Sequence, residues 1–310
     1  MKKVLILGLG SIGKRHAGIL LKYFECEVYA FRSGRRSGPC DPRIREVFAW
    51  SDVERLRPDI AFITNPTSLH IDTAIRCAEL GMHLFIEKPL SHNLAGIDRL
   101  ESICRRNRLT CYTAYCLRFH PVIKKMRFLA RGKKIYHARV VCSSYLPDWR
   151  PGQDYRKGYS VFRAKGGGAL LDLSHEFDYI QYILGIIKKI EGITGRASAL
   201  TRDACDFADA LLTMGSGAHV NIHVNFFSRI NERSVRIDFD GGSIRGDLLK
   251  GRVDFLFRGK RRVFIFDVDR DRYIREEICY FFDNIGNKAI MNSLGESKRF
   301  LKKILELKNE

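Results

Sequence analysis

The six residues GLGSIG, Gly8 to Gly13, follow the apolar run KKVLILG and open SIGKRHAGILLKYF, in which Ile12, Ile19, Leu20 and Phe24 recur at helical spacing. A strand, then glycines spaced G-x-G-x-x-G, then a helix is a narrow combination. Gly8 allows a tight turn, Gly10 lets the backbone approach a pyrophosphate, and Gly13 lets the helix lie close to the sheet. The first turn of that helix, with Ser11 and Ile12, presents backbone N–H groups to the phosphates. The stretch predicts a dinucleotide site at the end of the first strand. The competing reading is a glycine turn with a purely structural use.

The rest of the first third supports the same architecture. EVYAF, IREVFAW, DIAFITN, HLFIE and LTCYTAY read as further strands. Between them, Ser51 and Glu54 have the spacing expected of a capping box opening a brief helix. SLHIDTAIRCAELG and LAGIDRLESICRRN have helical periodicity, the former stopped by Gly81. Strands alternating with helices predict an α/β fold with a doubly wound parallel sheet, a Rossmann domain, over residues 1–117. One connection is unusual: RSGRRSGPCDPR, between the second and third strands, lacks apolar periodicity and reads as a specialised loop. After Arg118 the character changes. HPVIKKMRFLARG reads as a helix with Pro121 in its first turn, and KIYHARVVCSSY as a strand. GGGALLDLSHEFDYIQYILG reads as a glycine turn and a helix. From Ile190 onward short strands dominate. AHVNIHVNF alternates strictly, Ala218, Val220, Ile222, Val224 and Phe226 against His219, Asn221, His223 and Asn225, which predicts a half-buried antiparallel strand. Residues 118–310 are expected to form a second α/β domain. Its last helix, capped at Asn292 or Ser293, is expected to pack back on the first domain.

Composition removes several classes. The net charge is +19, but the basic residues are spread along the chain and the densest cluster is Arg32 to Arg36. With no RNP motif or zinc finger, nucleic acid is not the expected partner. No apolar run is long enough to span a bilayer. The N-terminal apolar run is too short, and too interrupted by glycine, for a signal peptide. Nine cysteines, odd in number and without C-x-x-C spacing, read as reduced thiols in a cytoplasmic protein.

The end of the second strand selects the cofactor. An acid there would bond the ribose hydroxyls of NAD. Instead Ala30 and Phe31 are followed by Arg32, Ser33, Arg35 and Arg36, groups suited to a 2′-phosphate. The expected cofactor is NADP(H), with NAD as the alternative. A solvated basic loop is the bland reading.

HLFIEKPLSH, His83 to His92, ends an apolar strand in a lysine and a proline. Taken together, GLGSIGKRH, NPTSLHIDTAIRCAELGMHLFIEKPL, RFHP and GGGALLDLSHEFDY resemble the glucose–fructose oxidoreductase and inositol dehydrogenase family, Gfo/Idh/MocA, in order along nearly the whole chain. The resemblance implies an N-terminal Rossmann domain, a C-terminal α/β domain with a large, mostly antiparallel sheet, and hydride transfer between a nicotinamide cofactor and a sugar, polyol or related carbonyl compound. It implies that Lys88 stands beside the nicotinamide and the reacting hydroxyl, that Glu87 fixes local geometry or contacts the cofactor, and that the Lys88–Pro89 peptide is cis. Asn65, Thr67 and His70 match the loop along the nicotinamide half. His175 matches the active-site histidine, with Asp172 its partner carboxylate. The chain departs from the common D-x-G-x-H pattern: D-L-S-H is one residue shorter, which leaves open how Asp172 and His175 sit.

Hydride transfer at a carbinol carbon requires a proton to move on its oxygen, and a positioned acid or base must handle it. Lys88 is the expected acid/base, His175 the second group, and Asp172 the orienting one. The loop Tyr145 to Lys165 carries Trp149, Arg150, Tyr155 and Arg156. With Arg118, these are the expected substrate contacts, since aromatics stack on sugar rings and arginines clamp phosphate or carboxylate. The expected substrate is a sugar, nucleotide sugar or sugar acid, most often anionic. His219 and His223 share a face with two asparagines and no acid, so no metal site is expected. That face is instead expected to join copies of the chain into a homo-dimer or homo-tetramer. A non-catalytic NADP-binding regulator is the alternative function.

Overall fold

The computed structural model describes residues 1–32, 34 and 41–307. The chain divides into two compact units. The first is Met1–Ala114 with Ile274–Leu301, and the second is Tyr115–Tyr273 with the residues from Lys302 onward.

The first unit is built on β1 (Lys2–Leu7), α1 (Ser11–Tyr23), β2 (Cys26–Phe31), β3 (Arg45–Val47), α2 (Trp50–Leu56), β4 (Ile60–Ile63), α3 (His70–Glu79), β5 (His83–Glu87), α4 (Ile97–Arg106) and β6 (Cys111–Ala114). Its six strands run in the order β3-β2-β1-β4-β5-β6, every pair parallel. That is the doubly wound dinucleotide-binding order, which places ligands at the carboxyl ends of the strands where the order reverses. The centre of the sheet is buried on both faces: all four residues of β4 and of β6 are covered. This is why these strands read as unbroken apolar runs in the sequence.

The second unit contains α5 (Pro121–Ala130), β7 (Ile135–Tyr145), α6 (Ala169–Asp172), α7 (His175–Leu184) and strands β8 (Ile187–Gly195), β9 (Phe207–Met214), β10 (His219–Asn225), β11 (Phe227–Phe239), β12 (Gly242–Asp247), β13 (Arg252–Phe257) and β14 (Lys260–Ile265). The eight strands form one sheet, β14-β13-β12-β11-β7-β10-β9-β8. All pairs are antiparallel but one. The strand expected to be antiparallel, β10, is antiparallel to β9 and parallel to β7. Its alternation could not reveal this, because a half-buried strand alternates whichever way its neighbours run. Val220, Ile222 and Val224 are buried as expected, but so is Asn225. Its amide donates to Ser143 Oγ at 3.0 Å. Helices α5 and α7 pack on each other and against β12 and β7, covering one face.

The predicted glycine-turn helix is two helices. Leu173 and Ser174 interrupt it between α6 and α7. Two further helices follow the sheet, α8 (Arg270–Asp283) and α9 (Leu294–Leu305). The sequence reading did not anticipate α8, although Ile274, Ile278 and Phe281 are buried at helical spacing. Phe281 packs edge-on to Phe62 and Phe85 in the core of the first unit. The start of α9 is held as the sequence suggested: Ser293 Oγ accepts from the Glu296 N–H, and Glu296 Oε2 accepts from the Asn292 N–H.

Candidate active site

In the first unit the glycine turn is locked by backbone. Gly8 has φ +110°, and a Cβ there would lie 2.6 Å from Asn65 N. A Cβ on Gly13 would lie 2.0 Å from the Gly8 carbonyl. Thr64, which the sequence reading passed over, donates through its hydroxyl to that same carbonyl at 2.6 Å. Gly10 differs: a Cβ there meets nothing within 4 Å. The first turn of α1 has no side-chain cap and no acid. Ser11 and Ile12 therefore present backbone N–H groups that no side chain caps, beside open space above Gly10. That arrangement suits a phosphate, so the residues present fit a dinucleotide.

At the end of β2, Arg32 is buried and pairs with Glu46 at 3.0 Å. A carboxylate thus stands at this edge after all. It comes from β3, where the sequence around Phe31 gave no sign of it. Ser33, Arg35 and Arg36 lie outside the described residues.

Between the carboxyl ends of β4 and β5 lie the Asn65 loop and the lysine tip. The Lys88–Pro89 peptide is cis. Asn65 donates its side-chain amide to Thr73 Oγ1 at 2.8 Å, and Thr67 is buried in a short turn. His70 is buried, with Nδ1 2.9 Å from the Pro89 carbonyl and Nε2 2.9 Å from the Asn65 carbonyl. A neutral imidazole has a single N–H, so His70 donates to one of these two carbonyls, and its ring bridges the Asn65 loop and the lysine tip. Burial pushes the His70 pKa below its ordinary value, against the pull of the two carbonyls. Glu87 faces inward to His16, Oε1 to Nε2 at 2.7 Å. Burial alone would raise the Glu87 carboxyl. The hydrogen bond and charge of His16, with help from Lys88 and His70, overcome it and hold it below the usual carboxylate range.

In the second unit Asp172 ends α6 and His175 opens α7, and both are buried. The shortened D-L-S-H spacing coincides with the break between the helices. The His175 ring lies edge-on to Tyr115, 5.5 Å between centroids. Tyr115 in turn donates its hydroxyl to Ser174 Oγ at 3.3 Å. Arg118, expected to touch substrate, is 4% exposed. It forks onto Asp178 with contacts of 2.7 and 2.9 Å, and its guanidinium lies over the Tyr182 ring. A buried, bidentate arginine of this kind organises the helix it grips. Glu176, fully buried one residue after His175, is gripped in the same way by Arg233.

The aromatic loop makes its own cavity of about 450 Å³, lined in part by Trp149, Arg150, Tyr155, Lys157 and Ser160. Trp149 is fixed by its indole N–H to Ser144 Oγ at 3.0 Å and by edge contact with Phe226. Arg156 is not among the lining residues. It is exposed and paired with Asp154.

The uncovered face of the large sheet holds His137, His219 and His223. An acid does accompany them: Asp209, directly across from His223 on β9, bonds its Nδ1 at 2.6 Å. The sequence hid this because the pairing is between strands. Among the described residues no group of three or more His, Cys, Asp or Glu is arranged to hold a metal ion. No helix among them is long and apolar enough to cross a membrane.

Comparison with known proteins places these features in context. Residues 2–115 match the profile of an oxidoreductase family with an NAD-binding Rossmann fold, and residues 124–245 match the GFO/IDH/MocA C-terminal domain. A myo-inositol 2-dehydrogenase of Thermotoga maritima is 27% identical over 90% of the chain and 87% of its own length. A UDP-N-acetylglucosamine 3-dehydrogenase of Acidithiobacillus ferrooxidans is 23% identical over 82% of the chain and 76% of its length. Among solved structures, the same A. ferrooxidans dehydrogenase superposes with a TM-score of 0.83 at 19% identity, covering 98% of this chain and 96% of that one. A levoglucosan dehydrogenase in complex with NADH gives 0.82 at 16% identity, covering 99% and 96%. At such identities the structural matches speak for the fold alone.

Proposed function

The chain belongs to the GFO/IDH/MocA family of oxidoreductases, and from that premise we propose that it moves a hydride between a nicotinamide cofactor and a hydroxyl or carbonyl carbon of a sugar, nucleotide sugar or sugar acid. The observation that carries this reading is within the first unit. There the uncapped start of α1 and Lys88 both stand at the carboxyl ends of one parallel sheet. Relatives named as inositol and UDP-N-acetylglucosamine dehydrogenases support a polyhydroxylated substrate. When bound, the cofactor supplies or accepts the hydride. Lys88 is the acid/base: its Nζ gives a proton to the substrate oxygen in reduction and takes it in oxidation. His175 is the second proton-handling group, and Asp172 orients it. Gly8, Gly10, Ser11, Ile12 and Gly13 hold the pyrophosphate, while Asn65 and Thr67 border the nicotinamide half.

An anionic substrate is supported by the cavity of the aromatic loop. Trp149 and Tyr155 offer ring faces, and Arg150 and Lys157 offer charge. NADP(H) is the preferred cofactor in this reading. Arg32 neutralises Glu46, and the stretch that follows adds arginines and no acid before Asp41. Copies of the chain associate through the uncovered sheet face, where Ile193 and Leu211 are more than half exposed.

The test is to follow the absorbance band of reduced nicotinamide while nucleotide sugars, sugar acids and neutral polyols are offered with each cofactor. Lys88→Met is expected to lose at least about a hundredfold in kcat, as for removal of a general acid–base group. Near-normal turnover at saturating cofactor would refute the role of Lys88. Equal or tighter binding of NADH than of NADPH would refute the cofactor preference. Nicotinamide binding without turnover of any such compound would favour a non-catalytic regulator.

A further inference from the structure

Two buried histidines contact the residues that flank Lys88, His16 from α1 and His70 from the start of α3. His16, on α1 one turn after the glycine motif, is 1% exposed. Its ring is wedged edge-on against Phe62 and Phe85, at 5.6 and 5.3 Å between centroids. Those two phenyl rings are themselves stacked at 4.3 Å, so the imidazole has no room to turn. Its Nε2 meets Glu87 Oε1 at 2.7 Å, while Glu87 Oε2 accepts the backbone N–H of Lys88 at 3.2 Å. His70, also 1% exposed, meets the residue that follows the lysine. Nδ1 lies 2.9 Å from the carbonyl of Pro89, and Nε2 lies 2.9 Å from the carbonyl of Asn65. Asn65 is the residue whose backbone is pressed against Gly8.

Through these contacts we infer that His16 and His70 are positioning residues for Lys88, which they hold by its backbone N–H through Glu87 and by the carbonyl of the next residue. The inference rests on the reading of Lys88 as the acid/base group. The chain of contacts also runs from the phosphate-facing helix α1 through His16 and Glu87 to the lysine, and from the glycine turn through Asn65 and His70 to the same tip. The backbone of Lys88 is thus set by the elements expected to hold the cofactor. Proton transfer is sensitive to such placement, since an error of about 1 Å at a reacting group can cost about a hundredfold.

The two nitrogens of His70 provide a test that a general loss of packing would not mimic. An asparagine places its amide near the Nδ1 position, and a glutamine near Nε2. Holding Pro89 requires the single imidazole N–H on Nδ1; His70→Asn keeps that donor and gives up the contact with Asn65, and His70→Gln does the reverse. For His16, whose contact is through Nε2, glutamine is the conservative replacement and leucine the disruptive one. The expected order is that His70→Asn and His16→Gln stay within about threefold of the parent kcat, whereas His70→Gln and His16→Leu fall by at least about tenfold, with KM for the dinucleotide moving less than kcat. A readout independent of turnover is the rate of acylation of Lys88 at one fixed pH in the cofactor-free protein, followed by mass spectrometry of its peptide. It should change by at least about threefold in His16→Leu and stay at the parent value in His16→Gln. Equal kcat for His70→Asn and His70→Gln, or an unchanged acylation rate in His16→Leu, would overturn the inference. If a leucine variant fails to fold, the asparagine and glutamine pair at His70 decides. Lys88→Met is run alongside: if it keeps turnover, the acid/base reading fails. If it is inactive while the histidine variants all match the parent, only the positioning role fails.

Discussion

His120 should set the acid limit of the second unit. It caps α5, with Nδ1 accepting the Val122 N–H at 3.2 Å, and it is 2% exposed. A nitrogen that accepts cannot also carry a proton, so the cap works only with a neutral ring. Burial, and then the charge of Arg233, hold its pKa at about 4, against the ordinary 6.5 and the opposing pull of the Leu248 carbonyl. The sign follows from linkage. The folded pKa is lowered, so the unfolded chain binds a proton that the native state refuses. The stabilisation is complete above about pH 6.5 and is lost as the pH falls toward about 4. For one proton the loss is about 1.4 kcal/mol per pH unit, so crossing the window costs about 3 kcal/mol, and roughly 2 kcal/mol is gone by about pH 5. His120→Asn keeps a good N-cap acceptor but cannot titrate. The chain has two tryptophans, and in a Trp50→Phe background Trp149 reports the second unit alone. Urea unfolding of the parent and of His120→Asn, followed by Trp149 fluorescence, should give stabilities that converge or cross as the pH falls. The variant should gain about 2 kcal/mol on the parent between about pH 7 and about pH 5. Curves that stay parallel over that range would refute the neutral, proton-refusing cap.

Two further expectations concern the glycine turn and the buried ion pair. Gly10→Ala should leave the melting temperature within a few degrees of the parent and weaken dinucleotide binding at least about tenfold, because its Cβ meets only the space a ligand would fill. Gly13→Ala, whose Cβ would clash with the Gly8 carbonyl, should lose about 1–3 kcal/mol of stability as well. Calorimetry with NADPH titration separates the two, and equal melting temperatures would contradict the backbone clash. Arg118→Met strands the Asp178 carboxylate in the interior and should cost about 3–5 kcal/mol, much of it regained in Arg118→Met with Asp178→Leu. A double variant as unstable as the single one in urea would show that the pair is not what Arg118 serves.

Much of the first unit was legible because its determinants are local. A strand buried on both faces must be apolar throughout, and a glycine spaced for a tight turn announces itself. The tip of β5 was legible too, as a lysine and proline ending an apolar run. What the sequence withheld depends on partners that are distant along the chain. The carboxylate beside Arg32 arrives from β3, and the one beside His223 from β9. The parallel pairing of β10 is a property of topology and leaves no mark on its alternation. His16 could have been suspected, since it falls one turn after Gly13 on the helix that faces the sheet, but its meaning required Glu87 opposite. Arg118 illustrates the converse. An arginine near a predicted site reads as a ligand group until Asp178, sixty residues on, is seen in its grip. The helix α8 was missed because its apolar residues are diluted by six charges in its first eight positions, RDRYIREE.

The return of residues Ile274 to Leu301 to the first unit bears on how the chain is made. Phe281 fills the core against Phe62 and Phe85, and Asn292 accepts from the backbone of Thr113 at 3.0 Å beside the edge of β6. During synthesis the ribosome delivers all six strands of the first sheet early. They must then wait, without the Phe281 ring against Phe62 and Phe85, while the whole second sheet emerges. The unit that begins the chain cannot close until nearly all of the other has been made, so a stop codon placed just before Ile274 would release it unfinished.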